Sequence, residues 1–154
     1  MRNPTLAAPL LLALAFPVSA QPAPDRAALA AKTKAEFLHA WQGYKKHASG
    51  YDELLPVSKA GKNWHGGHSL LMTPVDALDT MLVMGLKDEA ARTREEIVRD
   101  LRLDQDIEVK NFEITIRILG GLLSSHQMTG DKRLLALAED LGTRLLPVFD
   151  SPTG

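Results

Sequence analysis

The stretch from Asn111 to Asp131 leaves this chain the fewest options. On a helical wheel Phe112, Ile116, Leu119 and Leu123 fall at i, i+4, i+7 and i+11, which predicts one buried apolar stripe. Ile114, Ile118 and Leu122 cover much of the remaining circumference. A helix apolar nearly all round is expected to be buried. One strip breaks the pattern: Glu113, Arg117, Gly120 and Ser124 repeat the same spacing on another face. A carboxylate and a guanidinium inside apolar surroundings must pair or face a polar cavity, and Gly120 leaves room beside them. Two readings stay open at this point. Glu113 and Arg117 are either an ordinary i, i+4 pair on a wet face, or the polar wall of a pocket.

The surrounding chain is organised in helices. Asp25 is a candidate N-cap for a helix running to about Ala48, with Phe37, Trp41, Tyr44 and Ala48 inward and Lys32, Lys34, Lys45 and Lys46 outward. Residues 49–72 have no clear period and read as a functional loop containing Asp52, Glu53, Trp64, His65 and His68. His65 and His68 offer two imidazoles but no third ligand nearby, so no metal ligand is assigned in this chain. Thr73-Pro74-Val75-Asp76 carries a helix-start signature, with Thr73 as cap and Asp76 reaching back to it. Asp79 follows one turn later, and Gly85 stops the helix. Asp88 is expected to cap a third helix to about Leu101, whose Arg92, Arg94, Glu95, Glu96 and Arg99 form a solvated face. Asp104-Gln105-Asp106 is a polar turn without the ligand pattern of an EF-hand. Asp131 caps a last helix to Leu146, with Leu134, Leu135, Ala138, Leu141 and Leu145 inward and Pro147 as its stop. No segment reads as a strand. The short turns at 85–88 and 129–131 predict antiparallel helix hairpins, so the fold class is all-α.

Several ordered motifs carry a resemblance. Phe112-Glu113-x-Thr115-Ile116-Arg117-x-Leu119-Gly120-Gly121-Leu122-Leu123-Ser124 resembles the signature of glycoside hydrolase family 47, the class I α-mannosidases. Ala40-Trp41-x-Gly43-Tyr44-Lys45-Lys46-x-Ala48, Asp52-Glu53-Leu54-x-Pro56-Val57-Ser58 and Val75-Asp76-Ala77-Leu78-Asp79-Thr80 resemble further blocks of that family, in family order. So do Met84-Gly85-Leu86 and the segment from Ala138 to Asp150. His65 and His68 depart from the family's Gly-rich hydrophobic turn. The resemblance implies the N-terminal portion of an (α/α)7 barrel, with helices near 26–48, 74–84, 88–101, 110–129 and 131–146 as its first five. It implies an inverting hydrolase that removes terminal α-1,2-linked mannose from oligosaccharides with the help of Ca²⁺. By the same resemblance Glu113 is the general acid and Arg117 holds it and touches substrate. Asp52, Glu53, Asp76 and Asp79 are supporting acids, while the catalytic base and the Ca²⁺ ligand lie beyond Gly154. The alternative is a non-catalytic helical interaction domain, or a relative that binds mannosides without cleaving them.

Composition sets the remaining bounds. The chain has 154 residues, a formal net charge of −1 and no Cys. Near-neutral charge gives no electrostatic case for nucleic acid or an anionic membrane. Arg2, the apolar run from Leu6 to Phe16 and the small residues before Gln21 read as a secretory signal at residues 1–20, cleaved after Ala20. The run is too short to span a bilayer, so no stable membrane insertion is expected after cleavage. A Pro-rich linker at 21–25 follows, and 26–154 reads as the N-terminal part of a catalytic domain. An exported chain without Cys favours a bacterial periplasmic or secreted protein. The family resemblance, by contrast, implies membrane-anchored relatives in the eukaryotic secretory pathway.

Overall fold

The computed structural model describes residues 24–152. The proposed signal segment and most of the Pro-rich linker therefore lie outside the described residues. The chain runs α1 (Arg26–His47), β1 (Glu53–Leu55), β2 (Ala60–Lys62), α2 (Met72–Val83), α3 (Lys87–Asp100), α4 (Asn111–Glu113), a π-helical turn (Ile114–Leu119), α5 (Gly120–Thr129), α6 (Lys132–Leu145) and a closing 3₁₀ turn (Leu146–Phe149). No helix among the described residues is long and apolar enough to cross a membrane.

The helices begin and end where local chemistry says they should, with two exceptions. Asp25 Oδ1 accepts from the amides of Ala27 and Ala28 at 3.0 and 3.1 Å, and Asp131 Oδ1 accepts from Arg133 N at 3.0 Å. Gly85 and Gly130 take φ of +69° and +72° at the ends of α2 and α5, a conformation an L side chain disfavours. Thr73 is not the cap of α2. The helix starts at Met72, and its first amides are satisfied from twenty residues upstream: Met72 N donates to Asp52 Oδ1 at 3.3 Å and Thr73 N to the Asp52 carbonyl at 3.1 Å. The Thr73 hydroxyl donates to that same carbonyl at 2.6 Å. Asp76 is thus freed from capping. Asp88 likewise sits in the first turn of α3, whose cap position is Leu86.

A two-stranded antiparallel hairpin, β1–β2, occupies the loop region where no strand was expected; Glu53 pairs with Lys62 and Leu55 with Ala60. Its strands have three residues each, too few to show alternation in sequence.

The core gathers Trp41, Tyr44, Met72, Val75, Leu78, Met81, Ile97, Ile114, Ile118, Leu122, Leu134 and Leu141. Trp41 and Tyr44 stack with centroids 5.2 Å apart, and the Trp41 indole N–H donates to Glu89 of α3 at 3.1 Å. α2 packs against α3 and α5, and α6 against α5. The central helix (α4, the π turn and α5) therefore buries Ile114, Ile118 and Leu122. The stripe expected to be buried behaves differently: Phe112, Ile116 and Leu123 are 70, 51 and 43% exposed, and Leu119 is partly buried. The two apolar stripes are equally greasy, and the packing of α2 and α6 selects the other one. Leu135 on α6 is also exposed.

Candidate active site

The polar strip of the central helix lies against α2. Arg117 Nε donates to Glu113 Oε2 at 2.6 Å, one helical turn back. Its Nη1 donates to Asp76 Oδ2 of α2 at 2.8 Å. One turn further along α2 and two turns further along the central helix, Ser124 Oγ donates to Asp79 Oδ2 at 2.9 Å. Asp76 and Asp79, three apart on α2, thus meet Arg117 and Ser124, seven apart on the central helix. A polar seam results between two helices that otherwise pack through carbon.

The close approach that builds this seam belongs to Gly121, not Gly120. A Cβ at Gly121 would meet Val75 Cγ1 at 2.8 Å and the Val75 carbonyl oxygen at 3.2 Å. A Cβ at Gly120 would meet nothing nearer than 3.6 Å. Bare backbone at 121 therefore lets α2 come near enough for Asp76 to reach Arg117. The π turn spans Arg117, and its widened backbone is a feature that recurs at functional sites.

A third group completes the setting of Arg117. The Trp64 ring lies under the guanidinium, with Cζ 5.4 Å from the ring centroid, within cation–π range. Electrostatics separate the partners. Burial pushes the Asp76 carboxyl above its ordinary value, and Arg117 opposes that push without cancelling it. The hydrogen bonds that Arg117 donates to Glu113 and Asp76 hold its proton more tightly than usual. Among the described residues, Glu113 Oε1 accepts and Arg117 Nη2 donates no protein hydrogen bond. One carboxyl oxygen and one guanidinium edge are therefore left without a protein partner among the described residues.

The other proposed acids sit elsewhere. Asp52 is 1% exposed, and its carboxylate accepts from Trp64 N, Leu70 N, Met72 N and Ser69 Oγ at 2.7–3.3 Å. Every one of those donors is part of the loop or the start of α2, so Asp52 acts as a clasp. Glu53 pairs with Lys62 across the hairpin at 3.0 Å, and that contact holds its carboxyl below the usual range. With Lys62, Trp64, His65 and Lys110 it lines a cavity of about 280 Å³ that joins the Arg117 cluster through Trp64. Sequence reasoning put Trp64 in the functional loop and Gly121 in the signature without giving either a role. Neither carries a spacing signal, because the partner of each is fixed only by the fold. A separate cavity of about 350 Å³ lies under residues 101–110 and has no carboxylate in its lining.

The sequence model of Glycosyl hydrolase family 47 matches residues 36–154. The chain belongs to that family. It is 46% identical over 142 residues to the endoplasmic reticulum mannosyl-oligosaccharide 1,2-alpha-mannosidase of Mus musculus, which covers 92% of this chain and 21% of that protein. It is 49% identical to the Homo sapiens protein of the same name, over 76% of this chain and 16% of that one. The fold is similar to that of an alpha-1,2-mannosidase from Trichoderma reesei, with a TM-score of 0.74 and 27% identity over 82% of this chain and 29% of that one. This chain is accordingly all-α in class, the N-terminal portion of an (α/α)7 barrel. It spans about a fifth of the length of the mouse relative.

These relatives overturn one expectation. A bacterial periplasmic or secreted protein does not fit close relatives that are eukaryotic and named for the endoplasmic reticulum. Lack of Cys in a short stretch was too weak a signal for a compartment.

Proposed function

We propose that this chain supplies the general-acid side of an inverting α-1,2-mannosidase, residues 26–154 being the N-terminal part of its catalytic domain. The observation that carries the reading is the pinning of Arg117 between Glu113 and Asp76, inside the segment that most resembles the family signature. Inverting hydrolysis uses two carboxyl groups roughly 6.5–9.5 Å apart, one protonating the leaving oxygen and the other activating water. Glu113 fills the first role: it donates its proton to the glycosidic oxygen of a terminal mannose, directly or through an intervening water. Arg117 orients that carboxyl and offers its free edge to a sugar hydroxyl. Asp76 and Asp79 support the seam from α2. The base lies outside these residues.

Family membership brings Ca²⁺ into the reading. Among the described residues no group of three or more His, Asp or Glu side chains gathers to hold a metal ion. Asp76 and Glu113 already share Arg117, and Asp79 holds Ser124. The described residues do not fit the ion, and in this reading its ligand lies outside them.

The test is hydrolysis of an α-1,2-linked mannose disaccharide by the full-length protein, followed by proton NMR. β-Mannose should appear first, and excess chelator should stop turnover. Initial release of α-mannose overturns inversion, and full activity in chelator overturns the Ca²⁺ requirement. Mannoside binding without turnover would favour a non-catalytic relative.

A further inference from the structure

We propose that Trp64 is a positioning residue for this reaction: its indole face locks the plane of the Arg117 guanidinium, and Asp52 holds the indole in place. The proposal rests on the mannosidase reading above. A guanidinium is planar, and its two carboxylate bonds to Glu113 and Asp76 lie along its edges. Edge bonds on a half-exposed side chain leave rotation out of that plane weakly opposed, because such pairs are individually weak. The Trp64 ring supplies a further restraint, with the guanidinium carbon over the ring at 5.4 Å from its centroid. With two edges bonded and the cation drawn to the ring, fewer directions stay open to the free Nη2.

What holds Trp64 there is a buried clasp. Trp64 N donates to Asp52 Oδ2 at 3.0 Å, while Asp52 Oδ1 takes Leu70 N and Met72 N at 2.7 and 3.3 Å. One carboxylate thus ties the loop bearing Trp64 to the start of the helix bearing Asp76. Leu71, between those two amides, is held at φ +50°, a left-handed conformation that a leucine adopts only when its surroundings impose it. The two supports of Arg117, indole and carboxylate, therefore share one anchor. The bland alternative makes Trp64 a partly buried filler against the core. A filler predicts loss of stability but no coupling to Arg117.

The experiment is a double-mutant cycle in the full-length protein, read as kcat and KM on an α-1,2-linked mannose disaccharide. Trp64→Leu should lower kcat/KM between about twofold and thirtyfold, the range of a face contact to a cation, with the loss mainly in kcat. Made on top of Arg117→Gln, the same change should cost less than about twofold, since its object is gone. Trp64→Phe should recover most of the loss. Equal losses in both backgrounds overturn the proposal. Where Trp64→Leu fails to fold or Arg117→Gln leaves too little turnover, fluorinated tryptophans at position 64 keep the shape and drain the ring face. Turnover should then fall stepwise with fluorine number, and a flat series overturns the proposal. No turnover in the unmutated protein overturns the mannosidase reading and this inference with it. Turnover indifferent to every Trp64 change overturns the inference alone.

Discussion

Arg117 and Arg133 each donate hydrogen bonds to two carboxylates, and they are built to different ends. Arg133 bonds Asp131 two residues away and reaches Glu95 on α3 with two parallel bonds of 2.7 and 2.9 Å. Arg117 bonds Glu113 one turn away and reaches Asp76 on α2. In sequence the two look alike. In the fold, Arg133 lies at the surface, and its guanidinium pulls Asp131 down to about 2. Around Arg117 the balance reverses, because burial of Asp76 outweighs the pairing. A carboxyl driven up despite a cation beside it keeps its proton more readily than an ordinary one. That arrangement suits binding or proton transfer better than tethering two helices.

The largest expected contrast is catalytic. Glu113→Gln in the full-length protein should lower kcat by about 10²–10⁴-fold, the usual worth of a positioned acid, with the melting temperature nearly unchanged. Glu95→Gln should leave kcat alone. Arg117→Lys should cost turnover, because a lysine loses the flat fork that engages two carboxylates, whereas Arg133→Lys should not. Steady-state kinetics with circular dichroism on all four variants decides it. Near-normal turnover in Glu113→Gln would make the Arg117 cluster a second tether, like the first.

The part of this contrast that was legible in the sequence was local. Asp25, Gly85, Gly130 and Asp131 mark helix ends through chemistry within a few residues, and those ends were readable. Glu113 and Arg117 share a face by spacing alone. What was illegible depends on distant partners. Asp76 lies 41 residues from Arg117, and a strong local capping pattern offered it a different job. Asp52 binds mostly backbone amides, which carry no sequence identity. Of two apolar stripes on the central helix, packing chose Ile114, Ile118 and Leu122 over Phe112, Ile116 and Leu123. One helix taken alone contains nothing to make that choice.

A smaller effect tests how the Arg117 cluster is held. Gly121→Ala places a methyl 2.8 Å from Val75 Cγ1 and 3.2 Å from its carbonyl, so α2 must shift. The expected loss is about 1–3 kcal/mol of stability, the range for overpacking. Turnover should fall with it, as Asp76 is carried away from Arg117. Gly120→Ala meets only ordinary contact at 3.6 Å, so helix propensity should dominate and add up to about 1 kcal/mol. Chemical denaturation of the pair measures both signs. Equal behaviour of the two would mean that the seam does not depend on the close approach of α2. The Arg133 cluster has no such backbone contact and should be indifferent to either change.

The smallest effect is also the most discriminating, because the two clusters should answer with opposite signs. Asp131 is depressed in the folded state, so its ionised form favours folding. That contribution is present above the unfolded value of about 3.9 and is lost as pH falls through about 2. Asp131→Asn keeps a good helix cap but loses the charge, and should lower stability at pH 7. Asp76 is raised, so its contribution runs the other way. It is fully present below the unfolded value and is lost as pH rises through the folded one. At pH 7 an ionised Asp76 costs stability, and Asp76→Asn should raise the melting temperature while lowering turnover. Both shifts should stay within about 1 kcal/mol, since the partner arginines are substantially exposed. Melting curves at pH 4 and pH 7 give the comparison: the gain from Asp76→Asn should shrink at the lower pH. If Asp76→Asn destabilises at pH 7 as Asp131→Asn does, pairing dominates at both arginines and the distinction between the two clusters disappears.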